Sequence, residues 1–176
     1  DREHIPIDQE AELAPIIRRV AARGGVIVIP AFAIGRAQAL MLHIARLRER
    51  KDIPRVPVYL NSPMAINATR HYHAHHSEHH VSEEDCQRMF DVATFVNTVE
   101  ESKALNRQRG PMIIISASGM ITGGRVLHHI EAFGPDDRNA ILLAGYQAGG
   151  TRGAARAAGK PSLRMFGREV PMRAEV

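Results

Sequence analysis

Residues 9–23 carry Leu13, Ile16, Ile17 and Val20 at three- and four-residue steps, the spacing that gathers apolar side chains on one face of a helix. Gly24 and Gly25 end that period, and residues 26–30 (VIVIP) follow as an unbroken, largely β-branched run. Such a run predicts a strand buried on both faces, because a half-exposed strand would alternate. The pattern then repeats. Residues 34–50 read as a helix with Ala37, Leu40, Met41, Ile44 and Leu47 as its apolar stripe, and residues 56–60 (VPVYL) as a strand that turns at Asn61, Ser62 and Pro63 into a helix from Met64. Strands are expected at 95–99 and 112–116, with a short helical stretch over 100–106 between them. A helix at 121–133, a strand at 140–144, a helix at 151–158 and a last strand at 163–166 complete the series. Strict alternation of apolar strands with helices predicts one α/β domain over residues 1–176, a mostly parallel sheet with helices on both faces. In such sheets ligands bind outside the carboxyl ends of the strands, which directs attention to the segments that follow them.

Four of those segments share a character. They are residues 30–36 (PAFAIGR), 61–65 (NSPMA), 116–120 (SASGM) and 145–151 (GYQAGGT). Each combines small residues, which let a ligand approach the backbone, with a hydroxyl, amide or guanidinium donor. Each also leads toward a helix, whose first N–H groups and positive end favour an anion. Ser118 and Gly119, followed by Gly123, Gly124 and Arg125, offer a hydroxyl, backbone donors and a cation close together. Small residues at strand ends also serve simply to make tight turns. Neither G-x-x-x-x-G-K-[ST] nor a G-x-G-x-x-G after a strand occurs, which argues against a nucleotide triphosphatase or a dinucleotide enzyme.

Charge adds to this picture. The net charge is +4, and all but Lys51, Lys103 and Lys160 of the 23 basic residues are arginines, whose planar fork suits bidentate phosphate contacts. A GC-rich genome would produce the same bias. The longest apolar runs, at 112–115 and 140–144, are too short to cross a membrane. The polar start of the chain shows no secretory signal, and Cys86 is the single cysteine, so a cytoplasmic location is expected. The chain does not begin with Met, which suggests a piece of something longer.

His71, His73, His75, His76, His79 and His80 crowd one segment. On a helix, His71 with His75, His75 with His79 and His76 with His80 would pair at a spacing that can supply two metal ligands. No H-E-x-x-H, cysteine or carboxylate motif completes such a site, so a solvated helix face is the expectation. His128 and His129 are assigned packing or capping roles, and His43 has no evident acid partner. No nucleophile elbow is present, and Cys86 falls in a polar helix without a paired histidine. Catalytic and metal-binding residues are therefore expected to be absent from this chain.

Taken in order, several segments resemble a known family: residues 1–4 (DREH), 24–38 (GGVIVIPAFAIGRAQ), 59–65 (YLNSPMA), 102–106 (SKALN), 115–125 (ISASGMITGGR), 139–147 (NAILLAGYQ) and 164–176 (RMFGREVPMRAEV). They resemble the β-CASP domain of RNA-processing metallo-β-lactamase nucleases, in the branch of the mRNA 3′-end endonuclease and its bacterial and archaeal relatives. The resemblance implies a Rossmann-like three-layer domain inserted in a metallo-β-lactamase domain, which would be its partner in the same polypeptide. RNA would run in the cleft between the two, and a parent site with two zinc ions would activate the attacking water. The zinc motif H-x-H-x-D-H is missing here, so the fragment itself is expected to bind no zinc and to be inactive. By resemblance, Arg36, Ser62, Ser118, Gly119, Met120, Tyr146 and Gln147 match segments that line or support the RNA cleft, and Arg125 joins them from the loop reading. A homodimer is left open. Two other readings stand beside this one: a small-molecule phosphate- or nucleotide-binding α/β module, and a protein-interaction domain.

Overall fold

The computed structural model describes residues 8–78 and 81–176; the side chain of His76 is also outside the description. The segment at residues 1–4 and both His79 and His80 therefore lie outside the described residues. Helix α1 (Gln9–Ala22) opens on Asp8, whose carboxylate accepts from the Glu10 and Ala11 N–H groups and so satisfies two donors that the first turn leaves unpaired. Strand β1 (Val26–Pro30), α2 (Arg36–Glu49) and β2 (Val58–Leu60) follow. Next come α3 (Pro63–Ala74), a 3-10 turn at His76–Glu78, α4 (Glu83–Asp91), β3 (Thr94–Phe95) and α5 (Val99–Leu105). Then come β4 (Met112–Ser116), α6 (Val126–Phe133), β5 (Ala140–Ile141), α7 (Arg152–Ala157), β6 (Ser162–Met165) and β7 (Arg168–Pro171).

Five strands form one parallel sheet in the order β3-β2-β4-β1-β5. Every residue of β1 and β4 is buried, as their unbroken apolar runs require of strands covered on both faces. Alternate side chains serve opposite layers. Ile27, Ile29, Ile113 and Ile115 pack with Ile17, Met41, Ile44, Ile66 and Met89 from α1 to α4. Val28, Ile114 and Ile141 pack with Ile130 and Phe133 of α6 and with Leu163, Met165 and Val170 of the β6–β7 hairpin. The α/β architecture with a mostly parallel sheet is therefore observed.

Several boundaries differ from the sequence reading. The strand expected at 95–99 is only Thr94–Phe95, because Thr98 starts a helix instead. Its hydroxyl accepts from the Glu101 N–H while the Glu101 carboxylate takes the Thr98 N–H, a reciprocal cap that favours helix over strand. Residues 121–125 are a turn rather than the start of α6, with Ile121 fully buried at φ 58°. Strand β5 stops at Ile141, and its outer side is occupied by Glu175, whose carbonyl accepts from the Ile141 N–H at 2.8 Å. The segment after Met165 folds back as an antiparallel hairpin with β7, which the alternation did not predict. Its two-residue turn places Phe166 at φ 50° and Gly167 at φ 80°, the left-handed pair that matches the twist of a tight hairpin.

Candidate nucleic-acid interface

All five parallel strands present their carboxyl ends at one edge of the sheet. The chain leaves β2 toward β3 and leaves β4 in the opposite sense, toward β5. Loops that diverge this way open a crevice between the two strands, and Asn61 lies at its base, fully buried. Its N–H donates to the Ile115 carbonyl at 2.8 Å, and its own carbonyl accepts from Ser116 Oγ at 2.8 Å. Its amide donates to Ser102 Oγ at 2.7 Å and to His129 Nε2 at 2.6 Å. Asn61 Oδ1 accepts from Arg125 at 2.8 Å. His129 Nδ1 meets Asn106 Oδ1 at 2.6 Å, which fixes a neutral ring with the proton on Nδ1 and Nε2 accepting. Burial, reinforced by the neighbouring His128 and by the Arg125 charge, pushes the His129 pKa down to about 4.

This network commits two of the expected ligand residues to holding loops. The Arg125 guanidinium donates to Asn61 Oδ1 and to the carbonyls of Val96, at 3.1 Å, and Asn97, at 2.7 Å. It thus ties together the segments after β2, β3 and β4. Ser62 is buried, and its hydroxyl caps α3 by accepting from the Ala65 N–H at 3.2 Å. Gln38 does a matching task after β1. Its side chain accepts from the Gly35 N–H at 2.7 Å and donates to the Ala33 and Ala65 carbonyls and to Thr69 Oγ1, joining the β1 loop to α3.

The segment after β4 is braced from both sides. A Cβ on Gly119 would come within 3.1 Å of the Phe32 ring and backbone nitrogen, so the two loops pack closely only because this residue has no side chain. Gln147 donates from Nε2 to the Gly119 and Gly145 carbonyls, both at 3.0 Å, linking the β5 loop to the β4 loop. Gly153 N–H donates to the Met120 carbonyl at 3.1 Å. Ser118 Oγ sits 2.9 Å from Thr122 Oγ1 on the same loop. Ser118 and Met120 are half-buried, and Gly119 is buried.

Apolar side chains and the cation Arg36 stand out on this edge, with the exposed acids Glu100 and Glu101 following Val99. Arg36 is exposed, with no ion pair among the described residues, beside a cavity of about 270 Å³ that Gln9, Ile16, His43 and Leu143 also line. Tyr146 is 77% exposed, Ile34 and Met64 65% each, and Phe32 and Val99 about half. These are five of the seven large hydrophobic residues exposed among the described residues, and all follow β1, β2, β3 or β5. Of these only Tyr146 is expected from the sequence as a site residue; Phe32, Ile34 and Met64 lie in the loops named there without that role, and Val99 in an expected strand. The available signal was an apolar side chain stranded in a turn-rich segment, where no helix or strand period can bury it.

The histidines do not assemble. Helix α3 ends at Ala74, and the expected pairs His75–His79 and His76–His80 include residues outside the description. His71 and His75 stack with ring centroids 6.2 Å apart, His73 packs on Phe90, and His75 Nδ1 lies 3.1 Å from Glu78. Among the described residues no group of three or more His, Cys, Asp or Glu could hold a metal ion. His43 does have an acid partner: its Nδ1 lies 3.0 Å from Glu10 Oε1, a contact across 33 residues that spacing could not reveal. Cys86 is fully buried, and burial pushes its thiol pKa up, away from nucleophilic use. No helix among the described residues is long and apolar enough to cross a membrane.

Residues 37–155 match the Beta-Casp domain family. A ribonuclease of Thermus thermophilus, TTHA0252, is 37% identical over the whole of this chain, which covers 42% of that protein. The transcription termination factor FttA of Methanosarcina mazei is 34% identical over 83% of the chain and 24% of its own length. An Arabidopsis thaliana cleavage and polyadenylation specificity factor subunit 3-II is 31% identical over 88% of the chain and 25% of its own length. The chain thus spans less than half the length of each of these relatives. With the ordered motifs, the parallel sheet and this coverage, the chain belongs to the Beta-Casp domain family.

Proposed function

We propose that this domain is the RNA-facing cap of a metal-dependent ribonuclease, with the phosphodiester chemistry carried by the remainder of the parent polypeptide. The observation that carries the reading is the carboxyl edge of the sheet. Buried and half-buried amide, imidazole and guanidinium groups brace its loops, while Tyr146, Phe32, Ile34 and Met64 stay exposed beside Arg36. A rigid edge with exposed aromatic and apolar side chains suits stacking on unpaired bases and docking against a second domain. The relative named a ribonuclease, similar along the whole chain, supports the same reading. Within it, Arg36, Ser118, the Gly119 backbone, Met120 and Tyr146 face RNA, and Ser62, Arg125 and Gln147 hold those groups in place. The metallo-β-lactamase domain would supply two zinc ions; they would act as Lewis acids on the scissile phosphate and its attacking water. The described residues here hold no ligand set for them.

Salt titration of single-stranded RNA binding tests the proposal. A strand held at several phosphates loses affinity with a log–log slope of about −0.7 per contact. Arg36→Ala should weaken binding alike for all sequences and make the slope shallower by about that amount. Binding of a mononucleotide with little salt dependence, and none of RNA, would favour the small-ligand reading.

A further inference from the structure

Beyond the strand-end loops, α7 and the β6–β7 hairpin enclose an open groove of about 520 Å³. Thr122, Arg152, Lys160, Ser162, Arg164 and Glu169 are among its walls. Arg152 is pinned in place by main-chain oxygens. Its Nε donates to the Arg164 carbonyl at 2.7 Å, and its Nη1 to the Ile121 and Thr122 carbonyls at 3.3 Å. None of those oxygens carries a full charge, so the guanidinium remains electrostatically uncompensated at a fixed position. Lys160 and Arg164 are exposed and form no ion pair among the described residues. The single carboxylate lining the groove among the described residues, Glu169, accepts from Ser162 Oγ at 2.7 Å. Three cations therefore face one acid.

The groove is continuous with the proposed RNA edge through Thr122. That residue hydrogen-bonds to Ser118 on one side, and its carbonyl holds Arg152 on the other. Thr122 and Arg152 thus connect the Ser118 loop to the groove that Lys160 and Arg164 also line. No aromatic side chain lines the groove among the described residues, so it is fitted to a sugar–phosphate backbone rather than to bases.

We infer that this groove is a second RNA-binding segment, which holds the phosphodiester backbone of a single strand after it passes the Ser118 loop. The inference rests on the RNA-facing reading of the strand-end loops and adds a stretch of contact outside them. Its contacts are independent of sequence, and they lengthen the RNA footprint.

The test compares the chain with Lys160→Gln/Arg164→Gln, with Lys160→Gln alone and with Arg36→Ala, using a labelled single-stranded oligouridylate across a salt series. Both groove side chains are exposed and without ion-pair partners among the described residues, so the variants should keep the melting temperature of the parent chain. The double variant should bind severalfold more weakly, with a salt slope shallower by about 1.4 for two lost phosphate contacts and the single variant by about half of that. The losses should add to those of Arg36→Ala, since separated contacts act independently. If the parent chain binds RNA and Arg36→Ala weakens it while the groove variants keep affinity and slope, the groove inference is overturned and the strand-end reading stands. Absence of RNA binding by the parent chain at low salt would remove both. Competition by polyglutamate as effective as that by RNA, lost in the groove variants, would overturn the inference in favour of an acidic protein partner.

Discussion

Asn61 and His129 show how a few buried polar groups position a surface that they never reach. Every hydrogen-bonding atom of the Asn61 side chain is used, and the imidazole bridges it to Asn106. A protonated ring would turn Nε2 into a donor facing the Asn61 amide, itself a donor, inside a site with no solvent to compensate. Burial, with that unmet donor in the protonated state, sets the His129 pKa at about 4, against an ordinary value of 6.5. The neutral ring contributes its stability in full above about pH 6.5, and this is lost as the pH falls toward about 4, because the unfolded chain takes up a proton that the folded one refuses. Denaturant unfolding measured between pH 7 and 4.5 should show stability falling through that window. The fall should be shallower in His129→Gln, which cannot titrate; equal slopes in the two proteins would refute a neutral buried ring. Arg125 belongs to the same set. The sequence marks it as a cation near a helix start, but its two terminal nitrogens donate to Asn61 Oδ1 and two carbonyls.

At the scale of elements, the loops after β4 and β5 and the start of α7 interlock through close backbone approach. A Cβ at Gly153 would fall 1.6 Å from Gln147 Oε1 and 3.1 Å from the Met120 carbonyl. The first of these atoms is the end of a flexible side chain, so Gly153→Ala should fold while driving Gln147 off the Gly119 carbonyl. We expect a loss of about 1 kcal/mol, the worth of an ordinary hydrogen bond, with a similar loss in Gln147→Ala. The double variant should cost little more than either single one, because both remove the same brace. Urea unfolding of the three variants measures this, and additive losses would show that the residues act separately. The capping box at Thr98 and Glu101 was readable from its T-x-x-E spacing, yet the apolar run through Val99 pulled the expected strand across it. The turn at 121–125 was less accessible. Ile121 and Val126 carry a helix-like apolar spacing, but Ile121 is buried in a left-handed conformation that only its tertiary surroundings sustain.

For the whole molecule, the distribution of chemistry between this domain and the remainder of its relatives decides what the chain can do alone. It covers 42% of the Thermus thermophilus ribonuclease and about a quarter of the termination factor. Its described residues hold no metal-ligand group. The isolated chain is expected to leave single-stranded RNA intact with zinc or manganese present, measured by gel electrophoresis of a labelled strand. Cleavage that disappears with chelator would contradict the division of labour proposed above. Added zinc should also leave the melting temperature unchanged, since the described residues offer no closed four-ligand site to couple binding to folding.

Apolar periodicity by itself determined the alternation of helices and strands, the two fully buried strands β1 and β4 and the parallel sense of the sheet, because burial on both faces demands runs such as VIVIP and MIIIS. The turn-rich segments after the strands were equally readable, and the fold puts them on a common edge. Strand order was left to the tertiary structure. Nothing local in β2 or β4 says that the chain diverges between them, and that divergence makes the crevice where Asn61 lies. Tertiary structure also separated residues that look alike in sequence: Arg36 is exposed while Arg125 is tied to three oxygens, and Tyr146 is open to solvent while Ser62 is closed beneath a helix cap. The physical reason is that a polar side chain's role depends on which partners surround it, and those partners come from segments up to 64 residues away in the case of Arg125 and Asn61.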